Sequence, residues 1–436
     1  MTTHTDILIL GGGLAGLSTA YHLQQLGHTD YLLAEQENKP GGLCRSIQKD
    51  GFTFDYSGHL LHVHTPYGKK LVRALLKNNL HRVRRHAWIN TRGVQVPFPF
   101  QAHLYALPKA VREACAKGLL QPAGNSRPHS FKDWCMASFG TGMYEHFFRP
   151  YNTKLWGVAP SRLTCEWCGP FVPRPTRREI LNSLTQKPQK TWGYNSCFYY
   201  PKTGGIGALA DALAAQIQPI RLGTRITQID LQAKTARGGG EIIHFNRLVN
   251  TLPLPQFLQL LRGETQLKKQ ARVLKAASVL VYQLAVKGKG PKFSWIYCPD
   301  SQDAFFRVGQ QSAFSPANAP RHSRSFYVEL PGTLRPAKTL EKQIWNSLLQ
   351  KGIITKYDEK LFSFWQKLPT AYVLYDFKRT RTVELILRQL AKYACFCAGR
   401  YGKWEYSFME TALLQGRETA QKLVKQRCYE SSCFRR

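Results

Sequence analysis

Asp6-Ile7-Leu8-Ile9-Leu10 is an unbroken apolar run, the pattern of a strand buried on both faces of a parallel sheet, and it stops at a glycine cluster. A helical periodicity then runs to Leu26, and a second short run, Tyr31-Leu32-Leu33-Ala34, predicts the next strand. From about Pro66 to Asn195, helix formers are interrupted by aromatic and proline positions, which predicts a mainly helical segment. Pro201-Lys202-Thr203-Gly204-Gly205-Ile206-Gly207 leads into a helix expected over Ala208–Ile217, and Leu248-Val249-Asn250-Thr251-Leu252-Pro253 is another buried run. Ser278-Val279-Leu280-Val281-Tyr282 and Ser325-Phe326-Tyr327-Val328-Glu329 alternate as half-buried strands do, and they predict a sheet within residues 275–390. Gly238-Gly239-Gly240 reads as a hairpin turn. Cys395-Phe396-Cys397 is an apolar strand running into a glycine turn, with a helix from about Ser407. No internal repeat or low-complexity linker is present.

The first glycine cluster has chemical meaning because of its context. Gly11, Gly13 and Gly16, with Leu14 and Ala15 between the last two, stand in G-x-G-x-x-G register between a strand and a helix. The first glycine permits the tight turn, the second lets backbone amides approach a pyrophosphate, and the third lets helix and strand pack closely. The helix N-terminus then faces the phosphates. Glu35 closes the second strand about twenty residues on, where a carboxylate can accept the hydroxyls of an adenosine ribose. Pro40-Gly41-Gly42-Leu43-Cys44-Arg45 resembles the P-G-G-x-x-R loop of the flavin amine oxidase superfamily. That resemblance implies that Gly41, Gly42, Leu43 and Arg45 lie along the diphosphate of FAD, and that the chain returns twice to the cofactor, at residues 196–274 and again at Gly399 and Arg400. The fold class expected is α/β: a Rossmann-like FAD-binding domain with a helical insertion and a mainly antiparallel β-sheet insertion. Its segments are 1–65 (FAD-binding, first part), 66–195 (helical substrate domain), 196–274 (FAD-binding, second part), 275–390 (β-sheet substrate domain) and 391–436 (FAD-binding, third part, with a C-terminal helix).

A more specific resemblance lies in four motifs. Phe54-Asp55-Tyr56-Ser57-Gly58-His59, Val96-Pro97-Phe98-Pro99-Phe100-Gln101, Phe148-Arg149-Pro150-Tyr151-Asn152-Thr153-Lys154-Leu155-Trp156 and Gly399-Arg400-Tyr401-Gly402-Lys403-Trp404-Glu405-Tyr406 occur in the order seen in UDP-galactopyranose mutases. Trp295-Ile296-Tyr297, Phe306-Arg307 and Ala371-Tyr372 extend the resemblance over nearly the whole chain. It implies a redox-neutral reaction in which N5 of reduced FAD attacks the anomeric carbon of a UDP-sugar, and the ring reopens and closes between pyranose and furanose. It further implies that Phe98, Phe100, Gln101, Asn152 and Trp156 hold the uridine and that Trp295 belongs to the same substrate pocket. Tyr297, Arg307, Tyr372 and Tyr406 would surround the diphosphate, and Gly58 and His59 would lie near flavin N5. NADH or NADPH is a candidate reductant. Two segments depart from the pattern. Gly169-Pro170-Phe171-Val172 stands where the mutases carry G-E-R-V, with Arg174 and Arg177 as nearby substitutes, and Ser407-Phe408-Met409 replaces a polar N-Q-D-H segment.

Composition narrows the classes. With 43% hydrophobic and 12% aromatic residues, the 436-residue chain is a folded protein rather than a disordered basic tail. Its 61 Lys and Arg against 27 Asp and Glu give a net charge of +34, a shortage of acids more than a surplus of bases. A nucleic-acid or anionic-membrane partner, an anionic substrate and a compositional bias are the open readings of that charge. The bases do not cluster into a nucleic-acid tract, so no specific nucleic-acid partner is expected, and peripheral contact with an anionic membrane is a candidate secondary role. The N-terminus lacks the basic region of a signal peptide and no apolar run reaches membrane-spanning length, so a cytoplasmic location is expected. Cys165 and Cys168 form a C-x-x-C without a second pair, and His62 and His64 alternate as on a strand face without further ligands, so no metal is expected. Three functions remain in competition: a mutase-like flavoenzyme acting on a nucleotide sugar for cell-surface polysaccharide, an FAD-dependent oxidase or desaturase of the amine oxidase or protoporphyrinogen oxidase type, and a basic scaffold with a vestigial flavin fold. The motifs leave the oligomeric state open.

Overall fold

In the computed structural model the described residues are 2–120, 128–169, 171–189, 192–193 and 196–433, so Pro170 and the expected boundary at Asn195 lie outside the described residues. Seven strands form the sheet that carries the glycine turn. Thr2–Leu10 lies at its centre, parallel to both Tyr31–Ala34 and Glu241–Asn250, and Cys395–Cys397 adds to Glu241–Asn250, also in parallel. Ile7, Leu8, Ile9 and Leu10 are at most 1% exposed, as a strand covered on both faces requires. On one face, helix Leu14–Gln25 packs against helix Met409–Cys433, and the Ser18 hydroxyl donates to the Leu413 carbonyl at 2.6 Å. The sheet therefore takes strands from both ends and the middle of the chain, the order expected of a Rossmann-like cofactor domain. At its edge the Gly239-Gly240 turn has φ of +58° and +78°, two left-handed residues that close the hairpin from Thr235–Gly238 to Glu241–Asn250.

The second sheet also has seven strands, in the order Glu359–Val373, Ala276–Lys287, Ser323–Pro331, Arg307–Gln310, Trp295–Tyr297, Ala87–Thr91 and Val94–Pro97. All neighbours are antiparallel except Trp295–Tyr297 with Ala87–Thr91. The last two strands come from residues 66–195, which thus supply a hairpin to this sheet as well as helices Lys109–Leu120, Phe131–Met143 and Arg149–Trp156. Local periodicity could not register that pairing, because its partners are about two hundred residues apart. Two further expectations differ. The helix expected over 208–217 is Gly207–Ala214, and the next residues tighten into i to i−3 bonds ahead of Pro219. His62 and His64 do not share a strand face: around them only Leu61 bridges to Tyr199, with His62 buried and His64 exposed.

Asp55 ties the layers together. Fully buried, its carboxylate accepts from the Ser46 and Tyr200 hydroxyls and the Ile206 amide, while its carbonyl accepts from Gln283 of the second sheet and from Gln311 in the turn just after strand Arg307–Gln310. Burial pushes this acid up to about 6. The next residues, Ser57 to His59, are thereby fixed where the two sheets face one another.

Candidate active site

Two cavities meet at this junction. The larger, about 800 Å³, lies along the carboxyl ends of the parallel strands, and Gly11, Gly13, Leu14, Ala15, Glu35, Gly41, Gly42, Leu43, Arg45, His59, Gly399 and Arg400 line it. Gly16 stands behind this wall, packed on the Gly11 carbonyl. Glu35 is held by backbone: Oε2 accepts from the Gly12 amide at 2.6 Å and Oε1 from the Glu37 amide at 2.9 Å. Arg45 donates from Nε to the Gly42 carbonyl at 3.0 Å and lies over Tyr56. The residues present fit a dinucleotide. An added Cβ at Gly13 meets nothing within 4 Å, which leaves open space at the helix N-terminus, and buried Nε and Nη2 of Arg400 find no hydrogen-bond partner among the described residues. Such unsatisfied donors are costly unless a ligand accepts from them.

The smaller cavity shares one wall with the larger, made of Leu43, His59, Leu368, Arg400, Tyr401, Ser407, Phe408 and Met409. Gly58, Phe98, Gln101, Asn152, Trp295, Tyr297, Arg307, Tyr372 and Tyr406 line the remainder, so most of the expected substrate residues converge. Phe100 and Trp156 do not reach the lining. Phe100 is fully buried and stacks on Phe147 at 4.9 Å, which stacks on Tyr151 at 5.7 Å. Trp156 donates from Nε1 to the side-chain Oδ1 of Asn152 at 3.2 Å and packs edge-on against Tyr372 and Tyr406. Both rings therefore support the wall from behind. Gln101 donates to the Pro173 carbonyl at 2.6 Å and Asn152 to the Phe148 carbonyl at 2.8 Å, which fixes the orientation of both amides. Tyr151, Trp167 and Glu329 also line the cavity without having been singled out for it. The signal for Glu329 was an acid ending an apolar strand in a chain poor in acids.

That glutamate changes the charge of the site. Nε and Nη2 of Arg307 both donate to the Glu329 carboxylate, the second at 2.8 Å, and the Ser57 hydroxyl donates to the same group. Glu329 is 1% exposed and Arg307 18%. Burial works against the arginine's charge, yet Glu329, together with Tyr372 and Tyr327, more than offsets it and holds the guanidinium well above its ordinary range. Phe171 lines the cavity at the departing segment, 4.3 Å from Tyr406 and 4.5 Å from Phe408. Arg174 lies instead over Trp134 at 5.4 Å and Arg177 starts an exposed helix, so neither adds a cation to the lining. Arg400 is stacked within 4.7 Å of Tyr406 and 5.3 Å of Tyr372, and it has no carboxylate partner among the described residues.

The shared wall is held from outside. Trp404 adopts φ of +53°, a left-handed conformation that a bulky side chain rarely takes without support. Arg379 supplies support by donating from Nε (2.9 Å) and Nη2 to the Trp404 carbonyl while lying over Tyr375, whose hydroxyl accepts from the Tyr406 amide at 3.0 Å. The turn carrying Arg400 and Tyr406 is thus held at the Trp404 carbonyl and at the Tyr406 amide.

Two imidazoles beside the site make its stability depend on pH. Burial, aided by Arg400 and Arg307, brings His59 down to about 4, and burial does the same for His62. Each group titrates near 6.5 when unfolded, so the fold is unpenalised above pH 6.5 and loses stability as pH falls from 6.5 to about 4. Each contributes about 2–3 kcal/mol to that loss. Asp55 runs oppositely, its burial costing stability as pH rises through about 6. Urea unfolding from pH 7 to 4 should therefore show a flatter acid limb in a His59→Asn, His62→Phe double variant than in the wild type; parallel limbs would remove the histidines as the cause.

The family model described as flavin containing amine oxidoreductase matches residues 14–424. A crystal structure of reduced UDP-galactopyranose mutase superposes with a TM-score of 0.91 at 26% identity, covering 97% of this chain and 94% of that one. A putative protoporphyrinogen oxidase from Exiguobacterium sp. 255-15 shares the fold at a TM-score of 0.73 and 15% identity, covering 96% of this chain and 98% of that one. A curated relative, the probable UDP-galactopyranose mutase of Klebsiella pneumoniae, is 25% identical over 167 residues, which are 36% of this chain and 42% of that protein. The chain thus aligns to less than half of that curated relative's length.

Proposed function

We propose a mutase-like reaction on a nucleotide sugar for this chain, which belongs to the flavin containing amine oxidoreductase family and is a flavoenzyme. The observation that carries the reading is the shared wall: His59, Arg400 and Tyr401 border both cavities, so a ligand in the smaller one abuts a flavin in the larger. The cofactor is FAD, with Glu35 at the ribose, Gly11, Gly13, Gly41, Gly42 and Arg45 along the diphosphate, and Arg400 near the ring system. In its reduced form that group supplies a nucleophilic N5 to an anomeric carbon. Residues 66–195 and 275–390 act as the substrate-binding units and the other three segments as the cofactor unit. Phe98, Gln101 and Asn152 hold the uracil, with Phe100 and Trp156 fixing the wall behind it, while Trp295 stands beside Tyr297 at the sugar. Tyr297, Tyr372, Tyr406 and Arg307 surround the diphosphate. Burial raises the phenols of Tyr297 and Tyr372, which keeps them protonated as neutral hydrogen-bond donors to phosphate oxygens. NADH or NADPH serves as reductant.

Dithionite-reduced protein incubated with UDP-galactofuranose should yield the pyranose form on chromatography. Oxygen consumption with an apolar or amine substrate, and no isomerisation, would replace this reading with the oxidase one, which the aromatic pair Phe171 and Phe408 in the lining favours. Among the described residues no helix is long and apolar enough to cross a membrane.

A further inference from the structure

Seven large apolar side chains stand exposed on the described surface, and two of them, Phe377 (47% exposed) and Leu385 (40%), belong to one helix and its approach. Helix Arg379–Ala391 buries Val383, Ile386 and Leu390 against the body of the protein and packs on strand Cys395–Cys397. Its outer side carries Phe377, Lys378, Arg381, Leu385, Arg388 and Lys392, spaced at helical intervals and exposed. Helix Thr265–Ala271 lies against it, with Lys269 on that helix and Arg272 and Lys275 just beyond it exposed, while Glu384 is the exposed acid of helix Arg379–Ala391. Among the described residues none of these seven cations forms an ion pair with a carboxylate.

A basic face is unremarkable by itself in a chain of net charge +34. Helix Pro66–Leu76 provides the comparison: with Lys77 it exposes Lys69, Lys70 and Arg73 but no large apolar side chain. The difference lies in Phe377 and Leu385, which interleave with the cations. Surface cations draw a protein toward acidic headgroups, and bulky apolar side chains among them gain by entering the acyl boundary. We propose that the outer side of helix Arg379–Ala391, with Phe377, is a docking surface for an anionic lipid bilayer. A nucleic acid fits this face less well, because Phe377 is its one exposed aromatic side chain, which offers no series of rings to bases.

The face adjoins the active site. The Thr164 amide donates to the Tyr375 carbonyl at 2.7 Å and the Thr380 hydroxyl to the Glu166 carboxylate. The loop they anchor carries Trp167 and Phe171, which line the smaller cavity. Docking therefore sets that wall beside the bilayer, whichever substrate the cavity takes.

Flavin-loaded, full-length protein should co-sediment with phosphatidylcholine vesicles that contain phosphatidylglycerol, should not do so with phosphatidylcholine alone, and should be released by salt. Partitioning should fall about tenfold or more in Arg381→Glu, Arg388→Glu and clearly in Phe377→Ser, Leu385→Ser, while Lys70→Glu, Arg73→Glu on the comparison helix changes it less than about twofold. Equal losses from both basic helices, or no effect of the serine pair, would overturn the proposal in favour of a diffuse charge effect. Tighter binding to a short DNA duplex than to the vesicles would overturn it in favour of nucleic acid. Visible flavin absorbance in each variant reports that the site is intact.

Discussion

Gly13→Ala should give a stable protein that purifies without flavin, whereas Gly16→Ala should give one that is itself destabilised. The two glycines belong to one motif but differ in what surrounds them. At Gly13 the backbone has φ −74°, which alanine adopts freely, and the added methyl meets no protein atom within 4 Å. It projects into the larger cavity at the N-terminus of helix Leu14–Gln25, where a diphosphate would accept from backbone amides. The methyl therefore clashes with the ligand and leaves the fold alone. At Gly16 the added Cβ falls 1.9 Å from the Gly11 carbonyl oxygen, so helix and strand must separate. Overpacking against backbone costs about 1–3 kcal/mol or more, which lowers the melting temperature of a chain of this length by about 1–3 °C or more. Thermal unfolding and flavin absorbance, measured on both variants, separate the two effects. A Gly13→Ala protein that retains flavin at wild-type stoichiometry would remove the phosphate from that position.

These glycines also mark what could be read from the sequence. Requirements on the backbone, such as the turn at Gly11, the close approach at Gly16 and the carboxylate of Glu35 at the end of the second strand, are local, and a one-dimensional pattern records them. The direction of a side chain in a layered core is not local. Phe100 and Gln101 are adjacent in the chain, yet Phe100 turns into the Phe147 and Tyr151 stack while Gln101 reaches the cavity. Trp156 is likewise taken into the wall by its bond to Asn152, one helical turn back. The hairpin Ala87–Pro97 joins the second sheet through a parallel pairing with Trp295–Tyr297 that no periodicity announces. The charge of the site was hidden in the same way: Arg307 could be named as a cation, but its partner Glu329 is opposite it on the neighbouring strand.

That pairing gives the second large expectation, in which substitutions on the two sides of one ion pair move ligand affinity in opposite directions. Arg307→Ala leaves the Glu329 carboxylate buried with, among the described residues, only the Ser57 hydroxyl donating to it. An uncompensated buried charge costs about 3–5 kcal/mol of stability, and the same carboxylate now repels a phosphate in the cavity, so affinity for UDP should fall about a hundredfold. Glu329→Gln keeps an acceptor for Ser57 and for one arginine N–H but raises the net charge of the lining by one. A single charge removed a few ångströms from a phosphate is worth several kcal/mol at an effective dielectric near 20, so UDP should bind at least about tenfold more tightly. The free Glu329→Gln protein should also melt earlier than wild type, since its buried guanidinium lacks a counter-ion, and saturating UDP should restore more stability to it than to wild type. Arg307→Met combined with Glu329→Gln removes both charges, so it should be less destabilised than Arg307→Ala alone, an outcome that does not depend on the ligand. Calorimetric titration with UDP and thermal unfolding of the four proteins test both halves. Weaker binding to Glu329→Gln than to wild type would mean that the carboxylate serves the ligand directly rather than neutralising Arg307.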